Sequence, residues 1–137
     1  MSYVVDASVC AKLFIEEDDS GRAVEVLEAH TRGRIRLSAP TLILYELGNV
    51  FWKHPQITEE KMNRFLRRFL DLGVDLVDLS SDEELLRKAC ELSKLRNMSF
   101  YDSAYLALAE KTGVKLLTAD EEVHGKAEAG TLLLSQY

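Results

Sequence analysis

The feature that most constrains this chain is the abrupt end of its first apolar run, where Val4-Val5 meets Asp6 and then Ala7-Ser8-Val9-Cys10. So short a β-branched run suits a strand buried on both faces. The residues after it change to helical composition, so the chain passes from strand to helix at an acid. In an open α/β sheet the ligand crevice lies outside the carboxyl ends of the strands. Asp6 is therefore placed to deliver a carboxylate to such a crevice. It is equally suited to capping the following helix, a position where Asp is strongly preferred.

The rest of the chain repeats this alternation. A helix is expected after Gly21, ending near Gly33, then a short strand over Ile35–Ser38 closed by Ala39-Pro40. Pro40-Thr41 opens a helix through Trp52, stopped at Lys53-His54-Pro55. From Thr58 to Gly73, Met62, Phe65, Leu66 and Phe69 recur at helical spacing. Val74–Leu79 reads as a strand, and Ser81 with Glu84 has capping-box spacing for a helix to about Leu95. Ser99 opens a helix over Phe100–Lys111, closed at Gly113. Val114–Ala119 reads as a strand, followed by a short acidic helix and a last strand over Thr131–Leu134. The expectation is one domain over residues 1–137, a three-layer α/β/α fold with a mostly parallel sheet.

Composition excludes several classes. Hydrophobic residues make up 47% and charged residues 29% of 137, an ordinary globular balance. No apolar run approaches the ~20 residues that span a bilayer, and no basic-then-apolar leader opens the chain. Cys10 and Cys90 lack metal or redox spacing and read as buried free thiols in a reducing compartment, which points to the cytoplasm. The net charge of −6 argues against indiscriminate nucleic-acid binding.

Three further acids stand out. Glu46 has Leu42, Ile43 and Val50 as same-face neighbours on its helix, where a carboxylate is costly unless paired, protonated or bound to a cation. Asp102 lies three residues after Ser99, so it has capping-box spacing of its own. Asp120 ends a strand as Asp6 does, and could equally cap the next helix. Taken together, two acids at strand ends and two on helices point toward one crevice. Carboxylates gathered in this way repel unless protonated or bridged by cations. Oxygen ligands without His or thiolate select Mg²⁺ or Mn²⁺ over zinc, and such ions suit phosphoryl chemistry.

At this point Val4-Val5-Asp6-Ala7-Ser8-Val9, Pro40-Thr41 through Tyr45-Glu46-Leu47-Gly48-Asn49, Tyr101-Asp102-Ser103-Ala104-Tyr105-Leu106-Ala107-Leu108-Ala109 and Leu117-Thr118-Ala119-Asp120 resemble four signatures of PIN-domain ribonucleases. Their order, spacing and length are most similar to VapC-type toxins of toxin–antitoxin pairs. The resemblance implies a parallel sheet with the first strand central, and an Mg²⁺- or Mn²⁺-dependent endoribonuclease. By position it implies an acidic metal site of Asp6, Glu46, Asp102 and Asp120, with Ser8 and Thr118 as supporting hydroxyls. It also implies a homodimer and a cognate antitoxin. Some relatives carry one more acid after the fourth; here Glu121, Glu122 and His124 follow Asp120, so the ligands of a second metal stay open.

Other readings fit less well. A receiver-like domain would need an acid pair at its first crevice strand, and a haloacid-dehalogenase-type phosphotransferase would need Asp-x-Asp where this chain has Asp6-Ala7-Ser8. A non-catalytic RNA- or partner-binding module of the same fold, and a DNA-directed nuclease of the same superfamily, remain as alternatives. Candidate RNA contacts are Lys12, near Asp6, then Lys61, Arg64 and Arg68 on one helix face, and Arg96 ahead of Asp102. The segment from Lys53 to Arg68 holds five bases against two acids. Any one such cluster is more commonly a solvated helix face.

Overall fold

A computed structural model describes residues 1–137. Five strands form one parallel sheet: β1 (Ser2–Val5), β2 (Arg36–Pro40), β3 (Asp75–Val77), β4 (Lys115–Thr118) and β5 (Thr131–Leu133). Their order across the sheet is β3-β2-β1-β4-β5, so the Val4-Val5 strand is central, as expected. Val4 lies between Ser38 of β2 and Leu116 of β4, and both valines are fully buried. Every strand pairing is parallel, so each crossover must pass over a face of the sheet.

Seven helices supply those crossovers: α1 (Ala7–Cys10), α2 (Ser20–Thr31), α3 (Leu42–Lys53), α4 (Glu59–Asp71), α5 (Glu83–Arg96), α6 (Phe100–Thr112) and α7 (Glu121–Lys126). α6 lies against β1, β2 and β4 with α5 packed alongside it. That placement explains its composition, since every residue from Ser103 to Ala109 is buried and a helix apolar nearly all round needs cover on several sides. α6 ends where Gly113 takes φ +70°, a left-handed conformation that glycine adopts without cost.

α1 and α3 pack together, α3 also meets β2, and α4 lies on α3. The helical stripe expected on α4 works as read. Phe69 is buried, and Phe65 stacks on Phe14 at 5.1 Å and meets Phe51 edge-on at 5.4 Å between ring centres.

Two expectations need correction. The N-cap of α5 is Asp82, whose carboxylate accepts from Leu85 N at 3.1 Å, not Ser81. Ser81 is held one turn earlier, donating its hydroxyl to Asp78 O at 2.7 Å within a short 3-10 turn. Cys90 is exposed on the outer face of α5, while Cys10 is buried as expected. Helical periodicity put Cys90 among apolar neighbours in sequence, but the buried side of α5 is the one carrying Leu85, Ala89 and Leu92.

Candidate active site

Asp6 leaves the end of β1 with extended backbone and caps α1, its Oδ1 accepting from Ser8 N at 3.0 Å and Val9 N at 3.4 Å. The capping role is therefore real, but it uses only one oxygen. Oδ2 accepts from Thr118 Oγ1 at 2.5 Å, across from β4, and Ser8 Oγ donates to Oδ1 at 2.5 Å. Ser8 Oγ in turn accepts from Ala119 N at 2.9 Å, and Thr118 Oγ1 accepts from Asp120 N at 3.0 Å. The two hydroxyls thus fasten the end of β1 to the end of β4 and fix the carboxylate between them. Asp6 is 8% exposed, and burial pushes its pKa up to about 6 against the pull of the Ser8 and Thr118 hydroxyls, with the Glu46 charge adding to the rise.

Glu46 is half-buried on α3, with Tyr105 OH donating to its Oε1 at 2.5 Å. Burial raises its pKa, the Tyr105 bond lowers it, and the charge of Asp102 raises it again. Tyr105 is 2% exposed, and burial holds its phenol far above the usual range, so it remains a donor. Sequence reading missed this residue. The available signal was that Glu46 on an apolar stripe requires a buried donor, and Tyr105 is the phenol within the buried Ser103–Ala109 run.

Asp102 sits in the first turn of α6, where Ser99 Oγ accepts from its backbone N at 3.0 Å. Burial raises the Asp102 pKa, the Ser99 hydroxyl lowers it, and the charges of Asp120 and Glu122 raise it. Asp120 caps α7, accepting from Glu122 N at 2.9 Å and Val123 N at 3.3 Å. The four acids form a chain in which each feels the next: Asp6 with Glu46, Glu46 with Asp102, and Asp102 with Asp120.

Two of these acids, Glu46 and Asp120, line a crevice of about 840 Å³ at the carboxyl edge of the sheet, and Asp6 and Asp102 do not. Ser8, Lys12, Glu46, Asn49 and Asp120 line it, together with Tyr45 and Tyr101. The donor set fits a hard divalent cation, because it offers carboxylate oxygens and hydroxyls with neither imidazole nor thiolate. As the side chains lie, no three acids close on a common point. Asp6 and Glu46 are instead turned to their own hydroxyl donors.

The other candidates are distributed differently. Lys12 lines the crevice, but its Nζ donates to Asp18 O at 2.8 Å and pairs with Glu17 at 3.6 Å. Lys61, Arg64 and Arg68 are exposed on α4 and line no part of the crevice. Arg96 is drawn into the fold, its guanidinium donating to Ala127 O and facing Glu110 at 3.8 Å. Its sequence position ahead of Asp102 gave no sign of that bond, which comes from the far side of α7. Beyond Asp120, Glu122 pairs with Lys126 at 3.1 Å, and His124 Nδ1 lies 2.6 Å from Thr131 Oγ1 on β5. Glu121 faces a small neighbouring groove with Lys12 and Ser135.

Comparison with known proteins gives this arrangement a context. The profile of the PIN domain matches residues 3–129. Ribonuclease VapC3 of Pyrobaculum aerophilum is 35% identical over 133 residues, covering 94% of this chain and 97% of the relative. Exonuclease VapC9 of the same organism is 31% identical over 135 residues, covering 93% and 87%. Among solved structures, a chain of VapBC2 from Rickettsia felis, bound to a DNA fragment from its promoter, superposes with a TM-score of 0.73 at 17% identity, covering 97% of both chains. The three-layer fold is shared with it.

Proposed function

The chain belongs to the PIN-domain family, and from that premise we propose that it is a divalent-metal-dependent endoribonuclease, the toxin of a toxin–antitoxin pair. The observation that carries the reading is the set of acids at the carboxyl edge of the sheet, delivered by four separate elements, in which the charge of Glu46 raises the proton affinity of Asp6, that of Asp102 raises Glu46, and that of Asp120 raises Asp102. Its strongest support among relatives is one named a ribonuclease, 35% identical over nearly its full length.

Asp6, Glu46, Asp102 and Asp120 would hold Mg²⁺ or Mn²⁺. Such an ion, when bound, would supply activation of water and neutralisation of phosphate charge. Ser8 and Thr118 keep the Asp6 carboxylate in one orientation, because each bonds a different side of it and each is itself fixed by a backbone N–H of the β4 exit. Tyr105 holds Glu46 from α6 in the metal-free protein, a bond that Glu46 would exchange for the ion. The fixed orientation of Asp6 saves the cost of ordering that ligand when the substrate arrives.

No helix is long and apolar enough to cross a membrane. A cytoplasmic site of action, a homodimer and control by a cognate antitoxin complete the proposal. The antitoxin is supported by structural neighbours described as VapBC or toxin–antitoxin assemblies.

The deciding assay uses a circular RNA, which has no ends. Protein freed of any antitoxin should open the circle in Mg²⁺ or Mn²⁺, stop in EDTA, and fail to open it as Asp6→Asn. Digestion of linear RNA alone would make the enzyme an exonuclease, as the name of one relative would have it. Cleavage undiminished by chelator would refute the metal site. Absence of any cleavage, with RNA still bound, would leave the chain a binding module.

A further inference from the structure

We propose that the rings of Tyr45 and Tyr101 are stacking platforms for unpaired bases next to the scissile phosphate, so that the crevice selects single-stranded over duplex RNA. The proposal rests on the nuclease reading and adds to it how the substrate is held.

Both rings are conspicuous for what they do not do. Tyr45 is 74% exposed on α3 and Tyr101 is 60% exposed on α6. Neither hydroxyl has a hydrogen-bond partner, and neither ring packs against another aromatic ring. On α3 the inward positions are Ile43, Leu47 and Phe51, so Tyr45 contributes nothing to that core. Both rings nevertheless line the crevice, and each immediately precedes one of the acids, Glu46 or Asp102.

The charge of the crevice supplies the second argument. Its lining offers Glu17, Glu46 and Asp120 against one cation, Lys12, which is already held by Asp18 O and Glu17. A polyanion entering here finds no free lysine or arginine to neutralise its phosphates. Beyond a metal ion, attraction has to come from contacts indifferent to phosphate charge. A base stacked on a tyrosine is such a contact, and every base has a face to offer. A base inside a duplex has both faces occupied by its neighbours, so only unpaired segments can use the rings. Asn49, one turn from Tyr45 and also lining the crevice, is a polar group within the same subsite.

The competing occupant is a second copy of the chain. Trp52, 69% exposed, lies two turns along α3 from Tyr45 and extends the apolar face away from the crevice. The rings are assigned to RNA because they line the crevice together with Glu46 and Asp120. A dimer contact at them is one outcome of the test.

The test measures binding of a short fluorescent oligoadenosine RNA by anisotropy in Mg²⁺, using the full chain as Asp6→Asn to prevent turnover. Tyr45→Ala and Tyr101→Ala should each weaken binding by roughly 5- to 150-fold, the range for loss of one stacked base. Tyr45→Phe and Tyr101→Phe should bind within about 2-fold of the parent, because the ring remains. Replacing the RNA by its duplex with oligouridine should erase the difference between the alanine variants and the parent. The ratio of variant to parent affinity should hold as salt is raised, since no phosphate contact is lost. In the active protein the alanine variants should raise KM far more than they lower kcat.

Unchanged binding in both alanine variants overturns the proposal, as do phenylalanine variants as weak as alanine. A loss of affinity that appears only with dissociation of a dimer, read by light scattering on the same samples, assigns the rings to the second copy and overturns it as well. Ring-dependent binding of RNA that the parent never cuts would refute the nuclease reading and leave the platforms standing. Cutting with ring-independent affinity would do the reverse.

Discussion

Replacing Asp6 by Asn should make the metal-free protein more stable at neutral pH and leave it unchanged near pH 4. Asp6 is buried with a folded-state pKa of about 6, against an ordinary value of 3.8. Below pH 3.8 both folded and unfolded chains hold the proton, and this group does not penalise folding. As pH rises the unfolded chain releases it first, so the stability the proton confers is lost between about pH 4 and pH 6 and is gone above. Two pKa units correspond to about 3 kcal/mol, a large share of the ~5–15 kcal/mol that holds a domain together.

Asn resembles the protonated acid. It keeps an acceptor toward Ser8 N and Val9 N, and it places a donor toward Thr118 Oγ1, as a neutral carboxyl would. Parent and variant should therefore match at pH 4 and separate by about 2–3 kcal/mol at pH 7.5, the variant being the more stable. Urea unfolding in EDTA at several pH values, followed by circular dichroism, reads this directly. The difference between the two curves reports Asp6 together with its coupling to the Glu46 charge. Parallel curves over that range would refute the reasoning. A variant weaker at every pH would show that the cap, and not the buried charge, dominates.

Two further outcomes follow from the same geometry, and a third from the family resemblance. Asp102→Asn should melt at or above the parent temperature in EDTA, because relief from Asp120 and Glu122 opposes the ~0.3–1 kcal/mol lost at the helix N-terminus; a lower melting point would make Asp102 a cap alone. Tyr105→Phe leaves the Glu46 carboxylate without its donor and should cost about 1–3 kcal/mol at neutral pH, less in acid where Glu46 is protonated; an equal loss at all pH values in urea unfolding would count against that bond. Light scattering should give a dimer at micromolar concentration, and a monomer throughout that range would remove the homodimer from the account.

How far the sequence carried varies with the kind of interaction involved. The central strand was legible because Val4-Val5 followed by Asp6 leaves few alternatives, and α6 because its buried run has no polar face. Two of the four acids have the local role their positions suggested: Asp6 and Asp120 do cap helices. A cap uses one carboxylate oxygen, and the local pattern says nothing of the other. What stayed hidden is contact between side chains far apart in sequence. Tyr105 meets Glu46 across two elements, and Arg96 finds Ala127 O, so one became a positioning residue and the other a strut. Ser81 and Asp82 compete for one cap within adjacent positions, and spacing alone could not choose between them.

The central claim is that Asp6, Glu46, Asp102 and Asp120 are the ligands of one metal centre. Crystals grown without metal and soaked in Mn²⁺ test it most directly, through the anomalous scattering of the ion. The account predicts a peak in the crevice within bonding distance of carboxylate oxygens from at least three of these residues, with Glu46 turned away from Tyr105 to reach it. A well-diffracting soaked crystal with no peak there, or with manganese held only at surface acids such as Glu59 and Glu60, would contradict it.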